Sequence, residues 1–243
     1  MSADFNPVIV IPHYNHADTL IDVVERLRGF NLPIIIVDDG SDSACFAILK
    51  RLAEQEGVSL HDGVINGGKG RAVKIGLKLA WRSGFTHAVQ IDADGQHDLA
   101  DVPIMLAQAK QFPHACICGR PIYGQDAPKA RLYGRKITDF WNMVHTLSTD
   151  IADGMCGFRL YPLAKTVSLC EHTHIGDRMD FDTELLIKMH WEQIPLIWIN
   201  TAVKYHPDGV SHFRAIADNW AISKMHTRLF FGMLIRLLSG RKV

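Results

Sequence analysis

Pro7–Pro12 reads PVIVIP and runs directly into His13-Tyr14-Asn15-His16. An unbroken apolar run rich in β-branched residues is a strand buried on both faces, as in parallel sheets. Pro33–Val37 (PIIIV) repeats the pattern and runs into Asp38-Asp39-Gly40-Ser41, and His87–Ile91 (HAVQI) repeats it again and runs into Asp92-Ala93-Asp94-Gly95-Gln96. Between these runs, Ala17–Arg28, Ser43–Glu56 and Lys69–Ser83 have helical spacing and are followed by Gly29, Gly57 and Gly84, glycines at the C-terminal capping position. The order is β-α-β-α-β-α-β, an α/β protein in which His87–Ile91 is strand four.

Further along, Ala115–Cys118 reads as a fifth strand, and a Gly/Pro-bearing stretch, Gly119–Lys129, follows it. Leu132–Leu147 and Asp182–Trp191 read as helices, Ile194–Ile199 and Ala202–Tyr205 as late strands, and the last 25 residues as helical. No linker composition interrupts the chain. One domain over residues 1–214 with a basic helical tail over 215–243 is the expected organisation, the tail being either part of the domain or a membrane contact.

Composition narrows the function. The 243 residues carry 26 Lys+Arg against 26 Asp+Glu and are 47% hydrophobic, an ordinary globular balance with no global field to gather nucleic acid. Five cysteines without a CxxC suggest neither a disulfide framework nor a zinc site. The N-terminus MSADFNPVIVIP lacks the basic start and long apolar run of a signal peptide, and Leu229–Ile235 falls far short of the ~20 residues of a spanning helix. A cytoplasmic protein, peripheral at most on the cytoplasmic face of a membrane, is expected.

In open parallel sheets ligands bind beyond the carboxyl ends of the strands, where three polar segments should converge here. Asp92 and Asp94, two residues apart around a turn, can face a hard divalent cation together with the Gln96 carbonyl, Mg²⁺ or Mn²⁺ being the natural guest. A lone acidic turn more often caps a following helix, but a carboxylate pair opposite a second acidic strand end concentrates charge that a metal neutralises. Asn66-Gly67-Gly68-Lys69-Gly70-Arg71 opens a helix, so its amides and cations face a phosphate or form a plain glycine turn. It is no P-loop, because Gly70 stands where a hydroxyl is needed.

Val10–Asn15, Val37–Ser41, Asn66–Gly70 and Asp92–Gln96, in that order, resemble family 2 glycosyltransferases. The similarity is greatest to the branch that makes dolichol- or polyprenol-phosphate sugars, which also carries a later aspartate followed by Gly-Phe-Arg, here Asp153 and Gly157-Phe158-Arg159, and it spans roughly residues 7–214. It implies a GT-A type nucleotide-diphospho-sugar transferase fold, with a mostly parallel central sheet flanked by helices and a C-terminal amphipathic helix. It also implies an inverting, metal-dependent transfer from a UDP- or GDP-linked sugar to a lipid-linked acceptor, phosphate or hydroxyl.

Carried over by position, Pro12, Tyr14, Asn15, Val37 and Asp39 hold the nucleoside, Asp39 accepting hydrogen bonds from the base, with Lys69 nearby. Asp92, Asp94 and Gln96 sit on the metal. Arg120, Arg131 and Arg159 meet the acceptor. The closing motif departs from the branch, with His206 and His212 in place of two cations, which makes His212 a candidate metal ligand. A hydroxyl acceptor needs a base, for which Asp182 is preferred and Glu184 is the alternative, both at the start of one helix, where acids also complement the helix dipole.

From Asn219 to Val243 five Lys/Arg face no acid. Lys224, Arg228 and Arg236 share one helical side, and Met225, Leu229, Phe230, Met233, Leu234, Leu237 and Leu238 the other, which suits an anionic membrane interface or core packing. Two other functions fit a nucleotide-binding α/β domain: a catalytically weak homologue that binds nucleotide sugar or lipid as a module, and a sugar nucleotidyltransferase, whose glycine-rich first loop His13–His16 lacks.

Overall fold

Strand β1 (Pro7–His13) lies between β2 (Ile34–Asp38) and β4 (His87–Gln90), parallel to both. The structure is a computed structural model describing residues 4–124, 129–203 and 214–243. Beyond β2 lies β3 (Val58–Asp62), also parallel, a strand that the alternation required and whose mixed residues hid it. On the other side β6 (Arg159–Pro162) joins β4 antiparallel, then β5 (Cys116–Tyr123) joins β6 antiparallel, and β7 (Leu196–Val203) joins β5 parallel. The order is β3-β2-β1-β4-β6-β5-β7.

Alternate residues of the central strands serve two cores. Ile9, Ile11, Ile34 and Ile36 face helices α1 (Ala17–Arg28), α2 (Ser43–Ala53) and α4 (Val102–Gln111). Val8, Val10, Ile35 and Val37 face α3 (Lys69–Arg82), α6 (Leu163–His172), α7 (Phe181–Trp191) and α8 (Ala215–Leu238). Helix α5 (Lys129–Thr146) packs against α7 and α8.

Chain order runs outward from β1 to β3 and returns to β4, so direction reverses between β1 and β4, and a crevice opens there. Pairing of β1 with β4 ends at Val10 and Gln90, which leaves Pro12 past the point of divergence. A residue without an amide proton is tolerated there because no partner strand lies on that side.

Several expectations change. The two late strands are one, β7, with Tyr205 outside the described residues. Gly84 closes α3 with φ 84°, as a C-terminal glycine should, but Gly29 stays right-handed and Asn31 takes the left-handed position after α1. In α8 the inward residues are Met225, Leu229 and Met233, buried in the core. Arg228 and Arg236 are not a solvated basic face: they reach Glu184 and Glu192 of the neighbouring α7 region. No helix among the described residues is long and apolar enough to cross a membrane.

Candidate active site

The ends of β1 and β2 are knotted together. His16 donates its amide to His13 Nε2 (3.1 Å), which leaves the ring proton on Nδ1, 3.1 Å from Asp38 Oδ1. The Ser41 hydroxyl donates to the same oxygen (2.5 Å) and accepts the Asn15 amide (2.9 Å), while Asn15 Oδ1 accepts the Asp42 amide (2.9 Å). Burial pushes the Asp38 carboxyl up, but the bonds from His13 and Ser41 outweigh it and hold it below its ordinary value. Asp38 and His13 thus shape the turn carrying Tyr14 and Asn15, a role with no trace in motif spacing.

Asp39 does the same for the glycine loop: Gly67 donates to Oδ1 (2.9 Å) and Gly68 to Oδ2 (2.7 Å). A Cβ on Gly40 would lie 2.7 Å from the Asn66 nitrogen, so only glycine permits this approach. The phosphate-cradle reading of Asn66–Arg71 is therefore corrected, because Gly67 and Gly68 give their amides to Asp39 and Arg71 gives its amide to the Asp177 carbonyl. What the loop contributes is Lys69, first residue of α3.

Lys69 Nζ lies 2.9 Å from Asp92 Oδ2 and 3.1 Å from Asp182 Oδ2, joining the acidic turn after β4 to the start of α7. Burial alone would favour neutral lysine, but the Asp182 and Asp92 carboxylates win and raise its pKa. Burial likewise opposes the Asp92 charge, and Lys69 and then His97, whose Nε2 is 3.4 Å away, outweigh it and hold Asp92 ionised. Gly157 lies against this cluster: a Cβ there would sit 2.5 Å from Lys69 Nζ and 2.9 Å from Asp92 Oδ2.

Asp92 Oδ1 is buried without a hydrogen-bond partner. Asp94 Oδ1 accepts the Gln96 amide (3.0 Å), and both Asp94 and Gln96 are half-buried. No group of three His, Cys, Asp or Glu among the described residues converges on one point. Hard oxygens on Asp92 and Asp94 still fit a divalent cation of the kind that takes one or two carboxylates and completes its shell with substrate phosphates. His206 and His212 lie outside the described residues.

Asp182 and Glu184 part company. Two residues on a helix are about 200° apart, and they face opposite ways. Asp182 is nearly buried between Lys69 and Arg159, whose NH1 is 3.7 Å from Oδ1. Glu184 is fully buried, held by Arg228 (2.6 Å), Lys188 (3.2 Å) and the Gly176 amide (2.9 Å). It is a bolt between α7 and α8, and its candidacy as a base fails. Arg159 is also corrected: buried in β6, it donates to the Asp182 and Gly154 carbonyls (2.7 and 3.0 Å) and faces no open space. Val37 is fully buried in the core, so its side chain cannot touch a nucleoside.

Arg120, exposed midway along β5, lines a cavity of about 490 Å³ with Tyr123, Tyr133, Arg135, Lys136 and Asp139. Arg135, unmarked by the sequence reading, is ion-paired to Asp153 and stacks over Tyr123 at 5.0 Å. Burial, then the neighbouring Asp153, pushes Asp139 up to about 6 against Arg135 and Arg120. Arg131 is in α5, but its side chain lies outside the described residues. The half-buried Tyr14 and buried Pro12 sit at the β1 edge of the crevice.

An α/β sheet with its acidic turn at the switch point, flanked by helices and closed by an antiparallel β6, is a GT-A type glycosyltransferase fold. The family description "Glycosyl transferase family 2" matches residues 8–165, and the chain belongs to that family. An uncharacterized protein of Methanocaldococcus jannaschii is 21% identical over 84% of this chain and 91% of its own length. The polyprenol monophosphomannose synthase of Mycolicibacterium smegmatis is 27% identical over 63% of this chain, and the match spans 60% of that enzyme. A dolichyl-phosphate beta-glucosyltransferase of Trichomonas vaginalis is 25% identical over 78% of this chain and 64% of its own. Among solved structures, glucosyl-3-phosphoglycerate synthase of Mycobacterium tuberculosis with Mn²⁺ and UDP-glucose superposes with a TM-score of 0.68 at 15% identity, over 95% of this chain and 79% of that one.

Proposed function

We propose that this glycosyltransferase moves a sugar, with inversion, from a nucleoside diphosphate to the phosphate of a lipid-linked acceptor. The observation that carries the choice of acceptor is the pinning of Asp182 between Lys69 and Arg159. Its Oδ2 is taken up by Lys69 and its Oδ1 is buried 3.7 Å from Arg159, so neither oxygen is open to an incoming hydroxyl, which would need one as its base. A phosphate monoester arrives already ionised, and the cavity beside the site offers Arg120, Arg135 and Lys136, cations suited to receiving it.

In this reading Tyr14, Asn15 and Asp39 hold the nucleoside along the β1–β2 edge, and Asp92 and Asp94 hold Mg²⁺ or Mn²⁺. The cation supplies charge stabilisation to the leaving diphosphate. Lys69 adds a second positive charge beside Asp92, within reach of the same developing anion. The acceptor phosphate oxygen forms its bond to the anomeric carbon as the bond to the β-phosphate oxygen breaks, and the nucleoside diphosphate leaves. Solved neighbours hold UDP, which makes UDP-sugars the first donors to try and GDP-sugars the comparison.

The test is nucleoside diphosphate release with Mn²⁺ and either a short polyprenyl phosphate or the corresponding alcohol. Release with the phosphate alone, abolished by EDTA and by Asp94→Ala, is expected. Turnover of the alcohol that disappears in Asp182→Asn would overturn the acceptor assignment, and metal-dependent donor binding without release would reduce the protein to a binding module.

A further inference from the structure

The faces that α5 and α8 turn away from the protein are apolar, which neither packing nor solubility requires. On α5 the packed side carries Asn142, His145 and Thr146, all buried. The opposite side carries Tyr133, Ile137 (63% exposed) and Phe140 (55%). On α8, Met225, Leu229 and Met233 face the core, and half a turn away stand Trp220 (64% exposed), Phe231 (59%), Ile235 and Leu238. The helices lie side by side, joined by His226 stacking on both Trp141 and His145. Each helix therefore turns its uncovered stripe to the same side of the molecule.

We infer that these two stripes form one surface that seats the protein on an anionic lipid bilayer. The charges on it choose the occupant. Lys224 lies over the Trp220 ring at 5.3 Å and Lys136 is exposed beside Tyr133, whereas the acidic residues of the two helices are turned aside, Asp218 buried and Asp139 in the cavity wall. Aromatic rings and lysines around an aliphatic strip, with no acid among them, match the headgroup boundary of an anionic leaflet. A second copy seated by the same surface would bring no acid to Lys136 or Lys224, since neither helix turns one outward. Tyr133 and Lys136 belong both to this surface and to the rim of the Arg120 cavity, so a bilayer against the surface would bring lipid headgroups level with that opening. The inference stands on exposure and charge, and loss of the acceptor assignment would leave it intact.

The test is flotation of the full chain with vesicles of phosphatidylcholine alone or with phosphatidylglycerol. Binding to the anionic vesicles is expected, weakened about tenfold or more by Ile137→Ser/Phe140→Ser and by Trp220→Ser/Phe231→Ser. These side chains are exposed, so the thermal midpoint should hold within a few degrees. Lys224→Glu should weaken binding to anionic vesicles only. Brominated lipids should quench the wild type more than Trp220→Phe, which still binds. Equal flotation of wild type and serine variants overturns the proposal. So does a wild-type dimer in light scattering that the serine variants convert to monomer, because the surface would then belong to a second copy.

Discussion

Lys69 is the residue on which the site turns, because among the described residues it alone ties Asp92 after β4 to Asp182 on α7. Removing the cation from such a cluster leaves two carboxylates facing each other in a largely buried crevice. Lys69→Met should therefore cost on the order of 3 kcal/mol in urea denaturation and about 10²-fold in nucleoside diphosphate release. Lys69→Met/Asp182→Asn should recover part of the stability and none of the activity. Recovery of activity would show that Lys69 serves only to neutralise Asp182. Gly157→Ala probes the same point without a charge change: its methyl group would press on Lys69 Nζ and Asp92. Activity should fall more than tenfold, while a thermal midpoint lowered only modestly separates this from misfolding. Much of the cluster is legible in the sequence, since Asp92, Asp94 and Lys69 stand in recognisable motifs at strand ends. The pairing of Lys69 with Asp182 is not, because 113 residues separate them and only the fold sets that distance.

At the scale of elements, α7 shows why one periodicity can carry two meanings. Asp182 and Glu184 both look like acids of a first helical turn, yet one faces the crevice and the other is clamped by Arg228 of α8. Glu184→Gln and Arg228→Met should each destabilise by about 2–3 kcal/mol, since each strips a partner from a buried charge or its cation. Both should leave kcat near that of the wild type. A collapse of kcat in Glu184→Gln at intact stability would restore it as a base. The tail was legible as a helix but not in orientation, because both its faces carry large apolar residues and two of its arginines point to acids inside the fold. Strand β6 escaped for another reason: four residues, Arg159–Pro162, are too short to show a period, and an antiparallel strand breaks the alternation that revealed the others.

For the whole molecule, titration sums groups far apart. His145 and His226, 3.0 Å apart between α5 and α8, are both lowered to about 4, by burial first and for His145 also by its neighbour. A histidine whose folded pKa lies below its unfolded value near 6.5 contributes stability present above 6.5 and lost as pH falls through 4. Asp139 runs the other way: raised to about 6 from 3.8, it binds its proton earlier in the fold than in the unfolded chain, so it adds stability as pH falls through 6. Near pH 5 the unfolded chain thus holds two extra histidine protons and the folded chain one extra on Asp139, a difference of one, with His87, also lowered by burial, adding in the histidine direction. Stability should then fall by about 1.4 kcal/mol per pH unit around pH 5. Asp38 and Asp92, both lowered, act only below the unfolded carboxylate value and stay out of this window. Urea midpoints between pH 7 and 4.5 check the sum. Asp139→Asn should roughly double the slope, and His226→Phe, which keeps a ring to stack on Trp141, should flatten it; a slope unchanged in both would mean that the acid response arises outside the α5–α8 contact.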